Sequence, residues 1–354
     1  MRLASRPSQC LLAFALAALA FQLAGCRTAP RTGAAAPRTG DEIIVAGVPF
    51  HTGTRVVTWM DPGGYDAYRV ERRFAPYEES DWDKSHAAVR DLETPNRYGL
   101  RRQNVPTNAL ERLRGGTWDL PTLQGVVDQF VLHYDVCGSS RQCFKILHDM
   151  RGLSVHFMLD LDGTIYQTLD AKERAWHATT SNSRSVGIEI ANMGNWRAGG
   201  RSPHADWYVT NSAGQVYVKL PERFGDGGIR TPNFVPHPAR NTPVRGEVQG
   251  GEQEQWDFTP EQYAALIKLT ATLCTALPKI RCDYPRDAQG RLVTHKLPDD
   301  ELARYAGVLG HFHIQTNKTD PGPAFQWDHV INEARKLIAA PPLDLVKGGE
   351  LLVP

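Results

Sequence analysis

Between Gly310 and Pro323 the chain sets His311, Lys318 and Asp320 close together and then closes on Pro321-Gly322-Pro323. An imidazole and a carboxylate are two of the ligand types that Zn²⁺ takes at a catalytic site, where three protein ligands leave a fourth position for water. Lys318 would put a cation beside whatever that water attacks. A third ligand has to come from elsewhere, and His133 offers one near the end of the apolar run Phe130-Val131-Leu132-His133-Tyr134. These residue types predict a zinc hydrolase. His313, two residues beyond His311, could compete for the metal.

Elements able to position such groups alternate along the chain. Gln129 to Tyr134 reads as a strand and Arg141 to Met150 as a helix. Val155 to Asp160 and Thr164 to Leu169 read as strands joined by a turn at Asp162-Gly163, and Ser185 to Ala191 as a further strand. Thr259 is a candidate N-cap with Pro260 at the first helical position, and Leu266, Leu269, Leu273 and Leu277 continue that helix at helical spacing. Phe325 to Ala339 is the expected last helix. Strands interleaved with helices predict an α/β fold with a mixed central β-sheet flanked by helices. Before it, residues 42–120 carry short β-type runs (Ile43-Ile44-Val45, Arg55 to Trp59) in an N-terminal extension whose role is not legible. A long insertion at about residues 194–256 includes the expected hairpin Trp207–Thr210 with Gln215–Lys219 and the turn-rich Gly225 to Gly251. Loops of this length are functional or disordered more often than not. This one reads equally well as a wall of the substrate groove and as a decoration.

Four blocks, in order, give the chain a family resemblance: Val131-Leu132-His133-Tyr134; Ser154 to Gln167; Arg174-Ala175-Trp176-His177-Ala178 through Val186-Gly187-Ile188-Glu189-Ile190; and Gly310 to Pro323. Together they resemble the zinc N-acetylmuramoyl-L-alanine amidases that share a fold with the peptidoglycan recognition proteins. The resemblance implies that fold for residues 121–340. It also implies Zn²⁺ held by His133, His311 and Asp320, with His311 preferred over His313 because Gly310-His311 matches the family's Gly-His. Glu189 would be the base for the attacking water, Lys318 would stabilise the oxyanion, and Trp176 and His177 would line the substrate pocket. The substrate would be peptidoglycan or muropeptides, cut between N-acetylmuramic acid and L-alanine. A non-catalytic peptidoglycan-binding lipoprotein is the alternative. Some recognition proteins have a serine at the third ligand position, and the carboxylate of Asp320 favours the enzyme.

Arg2 and Arg6 precede the apolar stretch Leu11 to Leu19, which is too short to span a bilayer. Leu23-Ala24-Gly25-Cys26 resembles the lipobox of bacterial lipoproteins, with residues 1–25 as signal peptide and Cys26 lipidated. Arg27, rather than the Asp associated with inner-membrane retention, favours the periplasmic side of the outer membrane. Residues 26–41, rich in Ala, Pro, Thr, Gly and Arg, read as a flexible tether, and 341–354 as a C-terminal tail. The formal charge is +1 for the whole chain, and loss of the two leader arginines leaves it near neutral, which gives no support to nucleic-acid binding. A monomer is expected. Cys137, Cys143, Cys274 and Cys282 remain after the leader and lipid cysteines. Four cysteines allow three pairings, and short spacing in an oxidising periplasm favours Cys137–Cys143 and Cys274–Cys282. A Cys₄ zinc site is the competing idea, which these gaps fit poorly. The first pair also resembles a disulfide of the animal recognition proteins.

Overall fold

A computed structural model describes residues 32–33, 38–68, 98–101, 105–114 and 118–340. The leader, Cys26, most of the tether and the 341–354 tail lie outside the described residues. The chain divides into Met1–Thr39 and Gly40–Pro354, and the elements below belong to the second unit. Its strands are β1 Glu42–Val45, β2 Val48–His51, β3 Val56–Thr58, β4 Tyr98–Gly99, β5 Gln129–Tyr134, β6 Phe157–Leu159, β7 Ile165–Gln167, β8 Arg174–Ala175, β9 Ser185–Ile190, β10 Asn195–Arg197, β11 Tyr208–Thr210, β12 Val216–Val218, β13 Val244–Val248, β14 Gly251–Gln255 and β15 Gly307–Gly310. Its α-helices are α1 Thr107–Arg114, α2 Leu120–Val126, α3 Ser140–Phe144, α4 Pro260–Ala276, α5 Asp299–Arg304 and α6 Trp327–Ala339.

Six strands form the central sheet in the order β15-β5-β9-β6-β7-β3. β15, β5, β9 and β6 run parallel, β7 turns back against β6, and β3 lies parallel to β7. The sheet is therefore mixed, as expected. β5 and β9 are nearly continuous apolar runs because both of their faces are covered. Phe130, Leu132, Val186 and Ile188 join Leu266, Leu269 and Leu273 of α4 and Val330 and Ile331 of α6 in the main core. α4 begins where its cap places it. Thr259 Oγ1 accepts from Gln262 N at 3.1 Å, and Gln262 Oε1 accepts from Thr259 N at 2.8 Å, with Pro260 opening the helix. Arg141 to Met150 is helical but not one α-helix: α3 passes into a π-helical turn at Lys145–Met150. No helix among the described residues is long and apolar enough to cross a membrane.

The described parts of the extension pack into this body. Ile43, Val45 and Val56 are in the main core, and β3 supplies the sheet's last strand. Arg101 is fully buried. Its guanidinium donates to the carbonyls of Lys172, Ala171, Asn182, Ser183 and Ser185 at 2.9–3.2 Å and meets His156 Nε2 at 3.1 Å. Burial pulls its pKa down to about 9, with Glu173 opposing. Removing it strands several buried carbonyls, so Arg101→Ala should lose about 2–4 kcal/mol in a urea titration. A loss under about 0.5 kcal/mol would mean that the extension is not held here.

The insertion is two small sheets, the hairpin β11–β12 and the set β10-β14-β13. β10 pairs with β14, Asn195 opposite Gln255, so the two ends of the insertion are tied to each other.

Candidate active site

Three parallel strands end side by side and carry the site at their carboxyl ends, where open α/β sheets bind ligands. The register sets His133 of β5 opposite Glu189 of β9, and Gly310 of β15 opposite Leu132, which brings His311 beside His133. After β15 the chain doubles back, with Phe312 N donating to Asp320 O at 3.2 Å. A Cβ on Gly310 would sit 2.7 Å from Pro321 Cδ, so this close return needs glycine.

His133 Nδ1, His311 Nδ1 and Asp320 Oδ2 converge. The nitrogens are 3.0 Å apart, and the oxygen lies 2.8 Å from His133 and 3.0 Å from His311. All three residues are buried. Each histidine uses its other nitrogen away from this point. His133 Nε2 meets His177 Nδ1 at 3.0 Å, and His311 Nε2–H donates to Gln315 Oε1 at 2.6 Å. Burial, then the nearby His311, pulls the His133 pKa down to about 4 and keeps its ring neutral at neutral pH. Burial pushes the Asp320 carboxyl up, but the neighbouring His311 and His133 outweigh it and hold the group well below the usual carboxylate range. Two imidazole lone pairs and a carboxylate facing one point, with the far nitrogens committed elsewhere, make a donor set suited to Zn²⁺.

His313 is a structural residue. Its Nδ1 accepts from Gly310 N at 2.9 Å and its Nε2 donates to Val293 O at 2.7 Å, with the ring fully buried. Both nitrogens are taken by backbone.

A cleft of about 610 Å³ opens over the three donors, and Glu189, Lys318, Trp176, His177 and Asn182 line it. Burial, followed by the charges of Asp320 and Asp135, pushes the Glu189 carboxyl well above its ordinary range, with Lys318 opposing. Glu189 Oε2 and Trp176 Nε1 are solvent-shielded without a hydrogen-bond partner, an acceptor and a donor left over at the cleft wall. His177 is fixed by Asn182 Oδ1, which accepts from the backbone N–H groups of His177 and Ala178 at 3.0 and 2.7 Å. Its ring lies over β9, where a Cβ on Gly187 would come within 2.4 Å of it.

Residues 123–323 match the family model described as N-acetylmuramoyl-L-alanine amidase, more than half of the chain. The chain belongs to the N-acetylmuramoyl-L-alanine amidase family. It is an enzyme of that class, acting on peptidoglycan or its muropeptides. Similar solved structures include a selenomethionine derivative of AmpD, at 16% identity over 67% of this chain and 89% of that one, with a TM-score of 0.30. The LysCS endolysin amidase of Clostridium intestinale URNW is 16% identical over 60% of this chain and 86% of its own, at 0.32. AmiD of E. coli, solved with anhydro-N-acetylmuramic acid-L-Ala-D-gamma-Glu-L-Lys, is 21% identical over 58% of this chain and 57% of its own, at 0.31. No curated protein sequence matches the chain significantly.

In the amidase the predicted ligands, base, lysine and pocket residues thus share one cleft. Its four described cysteines are free thiols in this structure. Cys137 sits beside Cys143 and Cys274 beside Cys282, close enough to share hydrogen bonds. Asp135, Cys137 and Cys143 form a second group of possible metal ligands. Asp135 Oδ1 already accepts from the backbone N–H groups of Cys137, Gly138 and Asn192 at 2.9–3.2 Å, and Cys137 Sγ donates to Asp135 O. Residues that the sequence did not single out also serve the site. Gln315 and Asn182 act through another residue's nitrogen, and Ser185 Oγ meets His177 Nε2 at 3.2 Å. No motif marks such roles.

Proposed function

We propose that this amidase is zinc-dependent and hydrolyses the amide between the lactyl group of N-acetylmuramic acid and L-alanine, releasing stem peptides and leaving the glycan chains whole. The convergence of His133 Nδ1, His311 Nδ1 and Asp320 Oδ2 under a cleft lined by Glu189 and Lys318 carries this reading. Bound zinc supplies a Lewis acid and a water of lowered pKa. The chain's own residues do the rest. His177 and Gln315 hold the ligand imidazoles in orientation through their far nitrogens. Glu189 takes a proton from the attacking water on its carboxylate and passes it to the departing amine of L-alanine. Lys318 Nζ donates to the oxyanion of the tetrahedral intermediate. Trp176 and His177 bound the substrate. On purified sacculi, chelation should abolish release of free stem peptides and added Zn²⁺ should restore it. Turnover that survives exhaustive chelation, or shortened glycans in place of stem peptides, would overturn the reading.

We further infer a monomeric lipoprotein on the periplasmic side of the outer membrane, supported by the Leu23 to Cys26 motif and Arg27, with a leader at 1–25, a tether at 26–41, an extension at 42–120, the amidase domain at 121–340 and a tail at 341–354. Side-by-side placement supports the pairs Cys137–Cys143 and Cys274–Cys282 as disulfides in that compartment. Non-reducing peptide mass mapping should find lipid on Cys26 and both links. An unmodified Cys26 contradicts the anchor, and free thiols from an oxidising compartment contradict the pairs.

A further inference from the structure

The insertion reaches the site through amide side chains. Gln249 occupies the β13–β14 turn with φ +54°, a left-handed conformation that glycine or asparagine adopts more easily. Its Nε2 faces three carbonyls of one loop: Phe312 O at 2.9 Å, Gln315 O at 2.8 Å and Lys318 O at 3.2 Å. Its Oε1 accepts from Lys296 N at 3.2 Å. That loop carries His311, Lys318 and Asp320. The contact at Gln315 matters most, because Gln315 Oε1 holds the far nitrogen of His311 at 2.6 Å. Two further amides of the insertion hold the end of this loop and the residues that follow it. Asn195 Oδ1 accepts from Thr319 Oγ1 at 2.8 Å. Buried Gln255 donates to Pro321 O and accepts from Ala324 N, each at 3.0 Å.

We propose that the insertion is a brace for the 311–320 loop and that Gln249 is its principal positioning residue, holding Gln315, and through it His311, in ligating geometry. The loop makes backbone hydrogen bonds of its own and receives Leu297 N at His313 O, and Gln249 adds one side-chain amide shared by the carbonyls of Phe312, Gln315 and Lys318. The insertion thus touches this loop directly through side-chain hydrogen bonds. The effect on metal rests on the zinc reading above, whereas the brace itself does not.

The test compares the full chain with Gln249→Ala, Gln249→Glu and the control Glu252→Ala. The control removes an exposed ion pair with Arg245 from the same hairpin without touching the loop. By chelator competition, Gln249→Ala should bind Zn²⁺ about 10–100-fold more weakly, the usual cost of losing a residue that supports a metal ligand. Its kcat should fall while KM stays within about three-fold. Gln249→Glu keeps the length and the acceptor but sets a carboxylate against three carbonyls, so it should be no better than alanine. Glu252→Ala should match the unmodified protein. Hydrogen exchange on the metal-free proteins makes the brace testable on its own. Amides of Phe312 and Lys318, bonded within the loop, should exchange about ten-fold faster in Gln249→Ala while those of α4 do not change. Unchanged loop exchange, or a Gln249→Glu protein with native zinc affinity and kcat, overturns the proposal. Faster loop exchange in a protein that binds no zinc even when unmodified would uphold the brace and sink the zinc reading instead.

Discussion

An Asp320→Ala protein should purify without zinc and without measurable amidase turnover. The substitution removes the only anionic donor of the three and leaves two neutral imidazoles, which do not complete a three-ligand catalytic site. The fold should survive, because the bond that closes the loop at this position uses the backbone carbonyl of residue 320. His133→Ala should give the same loss, since His133 Nδ1 meets both other donors. His313→Gln should behave differently, keeping its metal while losing stability, as both of its nitrogens bond backbone groups. Zinc content by mass spectrometry separates these outcomes. Full metal occupancy in Asp320→Ala would remove Asp320 from the ligand set.

Glu189→Gln should lose about 10²–10⁴-fold in kcat while binding zinc and muropeptide normally, the range that one general base contributes. Glutamine keeps the shape opposite His133 in β9 but cannot accept the proton. Burial and the charge of Asp320 raise the Glu189 carboxyl, so the base loses its charge as pH falls through a value above the ordinary carboxylate range. The acid limb of kcat should lie there and vanish in the glutamine variant. A variant within about three-fold of the native rate would take Glu189 out of the mechanism.

How legible these features are in the sequence depends on where their physical cause lies. β5 and β9 stand out because burial on both faces demands continuous apolar runs, and α4 because Thr259, Pro260 and Gln262 are a local cap. The hairpin β13–β14 lies in part of the insertion that reads only as turn-rich. Val244 to Val248 and Gly251 to Gln255 are mostly polar, with only Val248 and Gln255 buried, so pairing with each other, and of β14 with β10, rather than propensity makes them strands. The π-helical turn at Lys145–Met150 leaves the apolar spacing helical and is invisible for that reason. At the site, His133, His311, Asp320, Glu189 and Lys318 can be singled out because their chemistry constrains residue type. Arg101 cannot, since a lone arginine reads as solvated until the carbonyls around it are known. His313 is left open by spacing alone, and in the structure both of its nitrogens meet backbone groups.

Crystals of the unmodified protein, measured on both sides of the zinc absorption edge, would test the central claim most directly. The expected result is a single anomalous peak among His133 Nδ1, His311 Nδ1 and Asp320 Oδ2, facing Glu189 and Lys318 across the cleft. No peak in protein that is active on sacculi, or a peak among Asp135, Cys137 and Cys143 instead, would contradict it.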